Sequence, residues 1–590
     1  MTTAATLTTG APGAPDRARR YLLFIAGMGG LLYGIDVGII AGALPYLEST
    51  ATLAWKLTTQ QLSFIVAAVL LGSVLSSLFA GALADLIGRR WAMVLAGALF
   101  TLSIPMIALS DGYLPLLLGR LLQGVSGGLI GVVVPLYLAE SLPAAQRGRG
   151  AALFQLMLTI GLVGAAVIGL SQARNVDAVT QAAAALDPAQ RSAMVFAAQD
   201  HAWRTIFWLC LAPGLVFTLG SLALKESPRW LALRRGGRIE AADGPAAPAA
   251  QVSTRDSLAS RRYVLPFLLA CLVLALTQAT GINSVLAYVV TILNQAGLPG
   301  ATANTADVAL KVLNAVMTVV AVVLVDRKGR KFLLMLGSGA IVVALVSAGL
   351  LFRGAESRQV DVHAQVEALV RDDSLALRLD DGLLARLGAK DGAGGAPQQL
   401  TVAYAYGPFT NVKSLRSDDP LLPTVHLRRA DAIQEDSVIG ATLRRWGLNP
   451  FADPAEGRAA PLTIERAWLG SVPAEAHGWQ VMLAICLFVA GFAVGPGVCV
   501  WLALSELMPT RIRSNGMSIA LLINQFVSTV IAAMFLPTVG YYGYSTVFFV
   551  GAGFSVLYFL TAAFLLPETK GKTLEEIELH FSGAGRPQAT

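Results

Sequence analysis

The sequence predicts an all-α polytopic membrane protein. Twelve transmembrane helices form two pseudo-symmetric six-helix halves, and a small soluble domain, read as α/β, is inserted in the second half. Three observations predict this. Of 590 residues, 55% are hydrophobic and only 14% are charged, against about 25% charged in an ordinary soluble domain. Apolar runs of about 20 residues, the length that crosses a bilayer, recur along the chain. Two sequence patterns appear twice, at matching places in the two halves.

Residues 1–20 are a Thr/Ala/Pro/Gly tail ending in Arg17, Arg19 and Arg20. The apolar run that follows is too long for a signal-peptide core, so it is read as retained. Spans are expected near 21–46, 61–83, 91–110, 114–139, 150–170 and 205–224, which make residues 21–224 the first half. A linker occupies 225–262. The second half comprises 263–353 and 478–566, with spans near 263–293, 305–325, 332–352, 478–504, 514–536 and 545–566, and a tail at 567–590. The fourth and seventh spans are long enough to tilt or break.

Gly354–His477 is a different material. It holds 30 charged residues in 124 positions, while the other 466 positions hold 51. It reads as a folded domain, helical over Val360–Leu387 and strand-like over Leu400–Phe409 and Leu462–Leu469. Ser171–Ala202 is a second, helical segment on the same side, expected to pack against it. Loops on the side of the N-terminus carry 24 Lys and Arg, and the opposite loops, the insertion apart, carry four. Positive charge gathers on the cytoplasmic side. Both termini are therefore expected in the cytoplasm and the insertion outside, with a bacterial inner membrane as the expected location.

The repeat is explicit. Asp85-Leu-Ile-Gly88-Arg89-Arg90 follows the second span and Asp326-Arg-Lys-Gly329-Arg330-Lys331 the eighth. Glu140-x-x-Pro143-x-x-x-Arg147 follows the fourth and Glu506-x-x-Pro509-x-x-x-Arg513 the tenth. The offsets, 241 and 366, differ by 125, close to the 124 residues of the insertion. Removing the insertion restores the register of two parallel six-span units, an architecture of secondary transporters. One such motif alone is a basic turn at a helix end. Two copies in register point to acids and bases that pair across a cytoplasmic mouth and must part when it opens.

These residues resemble the sugar-porter branch of the major facilitator superfamily, in particular bacterial proton:sugar symporters and animal glucose facilitators. The resemblance rests on Gly81–Arg90, Pro135–Glu140, Glu226-Ser-Pro228-Arg229-Trp230, Gln278-Ala-Thr-Gly281-Ile-Asn283, Gly495-Pro496-Gly497 with Trp501, and Pro567–Thr573. It implies sugar contacts at Gln155, Gln278, Asn283, Asn314, Trp501 and Gln525, with Tyr288 and Phe526 at aromatic positions. Amides suit hydroxyls because they donate and accept, and an indole offers a flat face to a pyranose ring. It also implies a cytoplasmic gate of Asp85, Arg89, Arg90, Glu140, Arg147, Glu226, Arg229, Asp326, Arg330, Glu506 and Arg513. The chain departs from the pattern at Thr277, Ala287 and Leu162, which make the expected site smaller or less polar.

Asp36 in the first span and Arg120 in the fourth are charges inside the membrane, where such residues pair and serve function. Counted from the expected span ends, their depths differ by about 6 Å, within reach of an arginine. Proton-coupled sugar porters carry an Asp here, so the resemblance implies proton coupling by Asp36 and Arg120. Asp307 and Lys311, four apart, are expected as a water-facing helix pair.

The function expected is import of a monosaccharide (hexose, pentose or polyol) by proton symport through alternating access. A sugar uniporter, or a transporter-like sugar sensor, is the alternative. No acid/base constellation points to an enzyme, no Gly-rich loop with Lys-Ser/Thr to a nucleotide-driven pump, and no His or Cys spacing to a metal. No cofactor and no nucleic-acid partner are expected. The partners expected are sugar, protons and lipid, with an extracytoplasmic partner open for the insertion, on a monomer. Cys210, Cys271, Cys486 and Cys499 lie in apolar runs, which excludes a disulfide framework for the insertion.

Overall fold

The computed structural model describes residues 14–142, 144–234, 261–388, 397–419, 421, 424–433, 436, 438–447, 449, 452–499, 507–508, 513–568 and 581. Within them are twelve helices long and apolar enough to cross a membrane. We label them spans 1–12: Arg17–Leu53, Thr59–Ile87, Arg89–Ala108, Tyr113–Ser141, Leu153–Ala185, Pro188–Leu222, Tyr263–Gln295, Gly300–Val325, Arg330–Glu356, Glu475–Cys499, Ile519–Tyr542 and Tyr544–Leu565.

The packing repeats as the sequence does. In the first half span 1 lies on span 5, span 2 on span 4, and span 3 on spans 4 and 6. In the second half span 7 lies on span 11, span 8 on span 10, and span 9 on spans 10 and 12. The halves meet along two equivalent seams, span 2 against span 11 and span 5 against span 8, with span 1 touching the second part of span 7. Close crossings use small residues, as membrane helices do. A Cβ on Gly34 of span 1 would lie 1.9 Å from the Leu158 carbonyl oxygen of span 5.

Spans 1, 5 and 6 exceed their expected extents, and span 7 is broken. Spans 5 and 6 run on as a helical hairpin, so Ser171–Ala202 is no separate element but their common extension. Its polar residues conceal this continuity. Span 7 breaks between Ala279 and Ile282, where Gly281 takes φ +83°, a left-handed conformation that glycine adopts freely.

The insertion is a two-layer α/β domain. Its strands are β1 Val360–Asp361, β2 Leu375–Leu377, β3 Gln398–Tyr406, β4 Phe409–Arg416, β5 Val425–Leu427 and β6 Leu462–Ser471. An antiparallel sheet has the order β1-β6-β3-β4, and β2 pairs with β5 apart from it. Alternation decides the faces. Leu400, Val402, Tyr404, Tyr406 and Leu469 are buried under the domain's own helices. The opposite face carries Gln399, Thr401, Ser414 and Trp468. Val360–Leu387, expected to be helical, instead holds β1, β2 and the short helices His363–Glu367 and Asp381–Arg386. Burial pushes the Tyr404 phenol up and holds Lys413 below the usual lysine range.

That polar face sits on one end of the bundle. Thr59 of span 2 donates its N–H to Asn411 Oδ1 at 3.1 Å and its hydroxyl to the Val412 carbonyl at 2.8 Å. Lys413 Nζ reaches the Leu57 carbonyl at 3.1 Å. From the second half, Asn294 O accepts from Arg416 and Tyr541 O from Arg466, at 3.1 and 3.3 Å. The extended hairpin of spans 5 and 6 touches the domain as expected: Leu421 packs with Ala183 and Val195, and Ser192 Oγ donates to its carbonyl.

Candidate functional site

Polar side chains gather at the break in span 7. Unwinding there frees the helix to aim Gln278 and Asn283 at span 11. Gln278 Nε2 donates to Asn524 Oδ1 at 3.1 Å. Asn283 Nδ2 donates to Gln278 Oε1 at 3.0 Å and to Ser528 Oγ at 2.8 Å. Asn524 is anchored in turn on the Leu274 carbonyl at 3.0 Å. The structure thus brings two expected residues into a network with two that were missed. Asn524 and Ser528 are one turn apart, a signal indistinguishable in sequence from helix-to-helix hydrogen bonding.

Tyr288 is fully buried, stacked on Phe535 with ring centroids 4.4 Å apart. Gln525 follows Asn524, and the Tyr33 hydroxyl of span 1 lies beside it. Gln155 is exposed and Asn314 half-buried, and no side-chain hydrogen bond of either is described. Phe526 is 58% exposed and turns about 200° from Asn524 around the helix, so it stands outside the network. Trp501 lies outside the described residues. The departures have clear geometry. Thr277 bonds the Val273 carbonyl and, at 3.0 Å, the Tyr558 hydroxyl, and Leu162 packs against Gly38 of span 1.

Asp36 and Arg120 are each 1% exposed. Neither oxygen of Asp36 has a hydrogen-bond partner among the described residues. Its carboxylate faces Gly127 of span 4, where a Cβ would come within 2.6 Å of Oδ2. Gly127 is seven residues, about 10 Å, along the helix from Arg120. The guanidinium instead donates to Gln123 Oε1 at 2.6 Å and lies over the Phe207 ring at 5.7 Å. The expected direct pair is therefore not formed. Span 1 runs on to Leu53, beyond its expected end, so Asp36 sits deeper than Arg120 by more than the sequence suggested.

At the opposite end of the bundle Arg89 pairs with Asp85 at 2.8 Å and with Glu140 at 2.9 Å. Ser227 Oγ donates to Glu140 at 2.6 Å. Glu226 receives the backbone N–H groups of Arg89 and Arg90 at 2.8 and 3.1 Å, a carboxylate at a helix N-terminus, where it is favoured. The second half repeats the device: Glu568 receives the N–H groups of Arg330 and Lys331, each at 3.2 Å. Gly88 and Gly329, at φ +97° and +88°, turn the chain in front of each acceptor. Glu568 lies in the Pro567–Thr573 motif and outside the expected gate set. These described contacts lie within a half. The side chains of Arg147, Arg229, Asp326 and Arg513, and all of Glu506, lie outside the described residues.

A second correction concerns Asp307 and Lys311. Lys311 Nζ is 2.7 Å from both oxygens of Asp307, and the side chains are 0% and 1% exposed. The pair is buried in the bundle and does not face water. Asn304, Asp307, Lys311, Asn314 and Thr318 recur at three- and four-residue spacing, one face of span 8. Asn304 on that face meets Gly42 and Gly169 of the first half.

Comparison with known proteins fits this geometry. The family model described as "Sugar (and other) transporter" matches residues 22–366 and 464–581, and so skips the middle of the inserted domain. Human solute carrier family 2, facilitated glucose transporter member 12, is 26% identical, over 94% of this chain and 84% of its own. The human proton myo-inositol cotransporter is 27% identical, over 94% and 80%. A glucose transporter of Staphylococcus epidermidis is 29% identical, over 57% and 72%. Among solved structures, a D-xylose-proton symporter superposes with a TM-score of 0.61 at 20% identity, covering 94% of this chain and 99% of that one. The xylose transporter from E. coli in an inward-open conformation gives 0.57 at 19% identity, over 95% and 98%. The chain therefore belongs to the sugar (and other) transporter family, as a multi-pass sugar porter of the major facilitator superfamily, and it is a transporter and not an enzyme.

Proposed function

We propose that this protein imports a monosaccharide or polyol by proton symport, with Asp36 as the coupling acid and Arg120 as its electrostatic partner. The observation that carries the reading is the Asp36 carboxyl, buried with both oxygens unpartnered. Burial without a partner favours a neutral acid, and contact with a guanidinium favours the carboxylate. A conformational cycle that varies the Asp36–Arg120 separation therefore moves a proton. Tyr33 stands three residues from Asp36 on span 1 and beside Gln525 of span 11, which supports a link between the helix of the acid and the span 11 polar face. Relatives named as a proton myo-inositol cotransporter and as a D-xylose-proton symporter support the coupling.

Gln155, Gln278, Asn283, Asn314, Trp501 and Gln525 supply the hydroxyl and ring contacts in this reading, with Tyr288 as a packed aromatic behind them. The clusters around Arg89 and Arg330 brace the cytoplasmic ends of the two halves, and the insertion lies on the extracytoplasmic side. The test is uptake by proteoliposomes over a panel of hexoses, pentoses and polyols, with and without an inward proton gradient. Wild type should accumulate its sugar uphill. Asp36→Asn should exchange sugar downhill and fail to accumulate it. Gradient-driven accumulation by Asp36→Asn would refute the coupling role and leave uniport, the activity suggested by the facilitated glucose transporter relative.

A further inference from the structure

A cavity of about 340 Å³ lies between the polar face of the inserted sheet and the ends of both membrane halves. Its walls come from three sources. Glu48 enters from span 1. Thr291, Gln295 and Tyr542 enter from spans 7 and 11. Gln399 and Trp468 enter from β3 and β6. We infer that this vestibule is a second saccharide site, which holds a neutral sugar or polyol beneath the inserted domain before it reaches the central amides. The inference rests on the reading of the chain as a sugar importer.

The volume is within the range of small-molecule sites, and the chemistry is selective. Gln295, Gln359 and Gln399 line the cavity, and no side-chain hydrogen bond of theirs is described, so each amide can give and take one with a hydroxyl. Thr291 Oγ1 is buried with no partner among the described residues. Trp468 is 36% exposed, so its indole can offer a flat face to the C–H side of a ring, while Tyr542 carries Arg466 over its ring at 5.7 Å. The other charges are committed. Arg466 lies over the Tyr541 ring at 4.6 Å and donates to the Tyr541 carbonyl, while Glu356 accepts from Ser545. Glu48 turns its carboxyl group to the cavity, where its two oxygens suit a pair of neighbouring hydroxyls. The register explains the wall. Thr401 pairs with Trp468 on one side and Ser414 on the other, so one polar row faces the membrane body.

The test uses the full-length protein in nanodiscs, titrated separately with D-glucose, D-xylose and myo-inositol. The signal is the emission of Trp468, taken as the difference between wild type and Trp468→Phe. We expect a saturable change that survives Gln278→Leu combined with Asn283→Leu, which disable the central amides. Glu48→Leu removes the acceptor from the wall and should weaken the binding about tenfold, the loss of about one hydrogen bond. A difference signal flat for all three sugars overturns the vestibule site, and uptake by proteoliposomes then judges the transport reading on its own. A signal lost with the central amides also overturns it, since it would report only what happens at the central site. A signal that persists where no sugar is transported would leave this site standing and sink the transport reading.

Discussion

The buried Asp307–Lys311 pair allows a sharp test of packing energetics. On an exposed helix face, such a pair contributes about 0.3–0.5 kcal/mol. Here the side chains are 0% and 1% exposed and Nζ is 2.7 Å from both oxygens. Coulomb's law at an effective dielectric constant of about 20 gives an attraction of about 6 kcal/mol at that separation of 2.7 Å. Desolvation of both groups offsets most of it, so the pair as a whole adds little. Removing one partner is different, because the other charge stays buried and uncompensated. Lys311→Met or Asp307→Asn should each cost about 3–5 kcal/mol.

The double variant Asp307→Leu/Lys311→Met should lie within about 1 kcal/mol of wild type or above it. The assay is reversible unfolding in mixed micelles followed by tryptophan emission, run on wild type, both single variants and the double variant as a cycle. A double variant as unstable as the sum of the singles would refute the reasoning, because it would mean that the side chains contribute shape and not mutual neutralisation. So would single variants indistinguishable from wild type, which would mean that water reaches the pair.

The same unfolding assay should rank three other changes. Gly34→Ala places a methyl group 1.9 Å from a carbonyl oxygen and should cost several kcal/mol, where Gly164→Ala, which meets nothing within 4 Å, should be nearly silent. Glu226→Gln weakens the acceptor for two N–H groups at the start of span 3 and should cost about 0.5–2 kcal/mol. Asn283→Leu leaves Gln278 and Ser528 short of a donor; uptake assays should show an apparent KM raised about tenfold or more, and an unchanged KM would take this residue out of the site.

The membrane body was legible because its signals are redundant: long apolar runs, loop charge asymmetry and a repeat in register. What failed was depth. Polar residues mark the expected span ends, yet span 1 continues through Glu48 and spans 5 and 6 run on to a turn at Leu186 and Asp187, since helices at a membrane surface extend into water. That shift moved Asp36 away from Arg120. The i,i+4 rule located the Asp307–Lys311 pair but carries no burial, which only the polar stripe shared with Asn304 and Asn314 could have suggested. Asn524 and Ser528 were missed because small polar residues in spans usually join helices. In the insertion β3 and β6 were legible from alternation, while β4 was not. Its outward row, Val412 and Ser414 beside the charged Lys413, makes no clean pattern until the membrane body supplies a partner.

The placement of the insertion has a mechanical consequence. The chain leaves span 9 at Glu356 and returns into span 10 at Glu475. The strands at those two points pair with each other, Val360 opposite Leu469. Exit and return are therefore neighbours, and the domain hangs from two adjacent helices of the second half without stretching either. It must move with that half. Its bonds to the first half are few: Thr59 to Asn411 and Val412, Lys413 to the Leu57 carbonyl, and Ser192 to the Leu421 carbonyl, beside one small apolar contact of Leu421 with Ala183 and Val195. Each is worth about 0.5–1.5 kcal/mol net, because water replaces it when it breaks. A rocking motion that parts the two halves at this end would thus open along the seam between the inserted hairpin and spans 1 and 2. The Glu48 wall of the vestibule would go with the first half while Gln399 and Trp468 stayed with the second, so the same motion that admits solvent from this side takes the cavity apart.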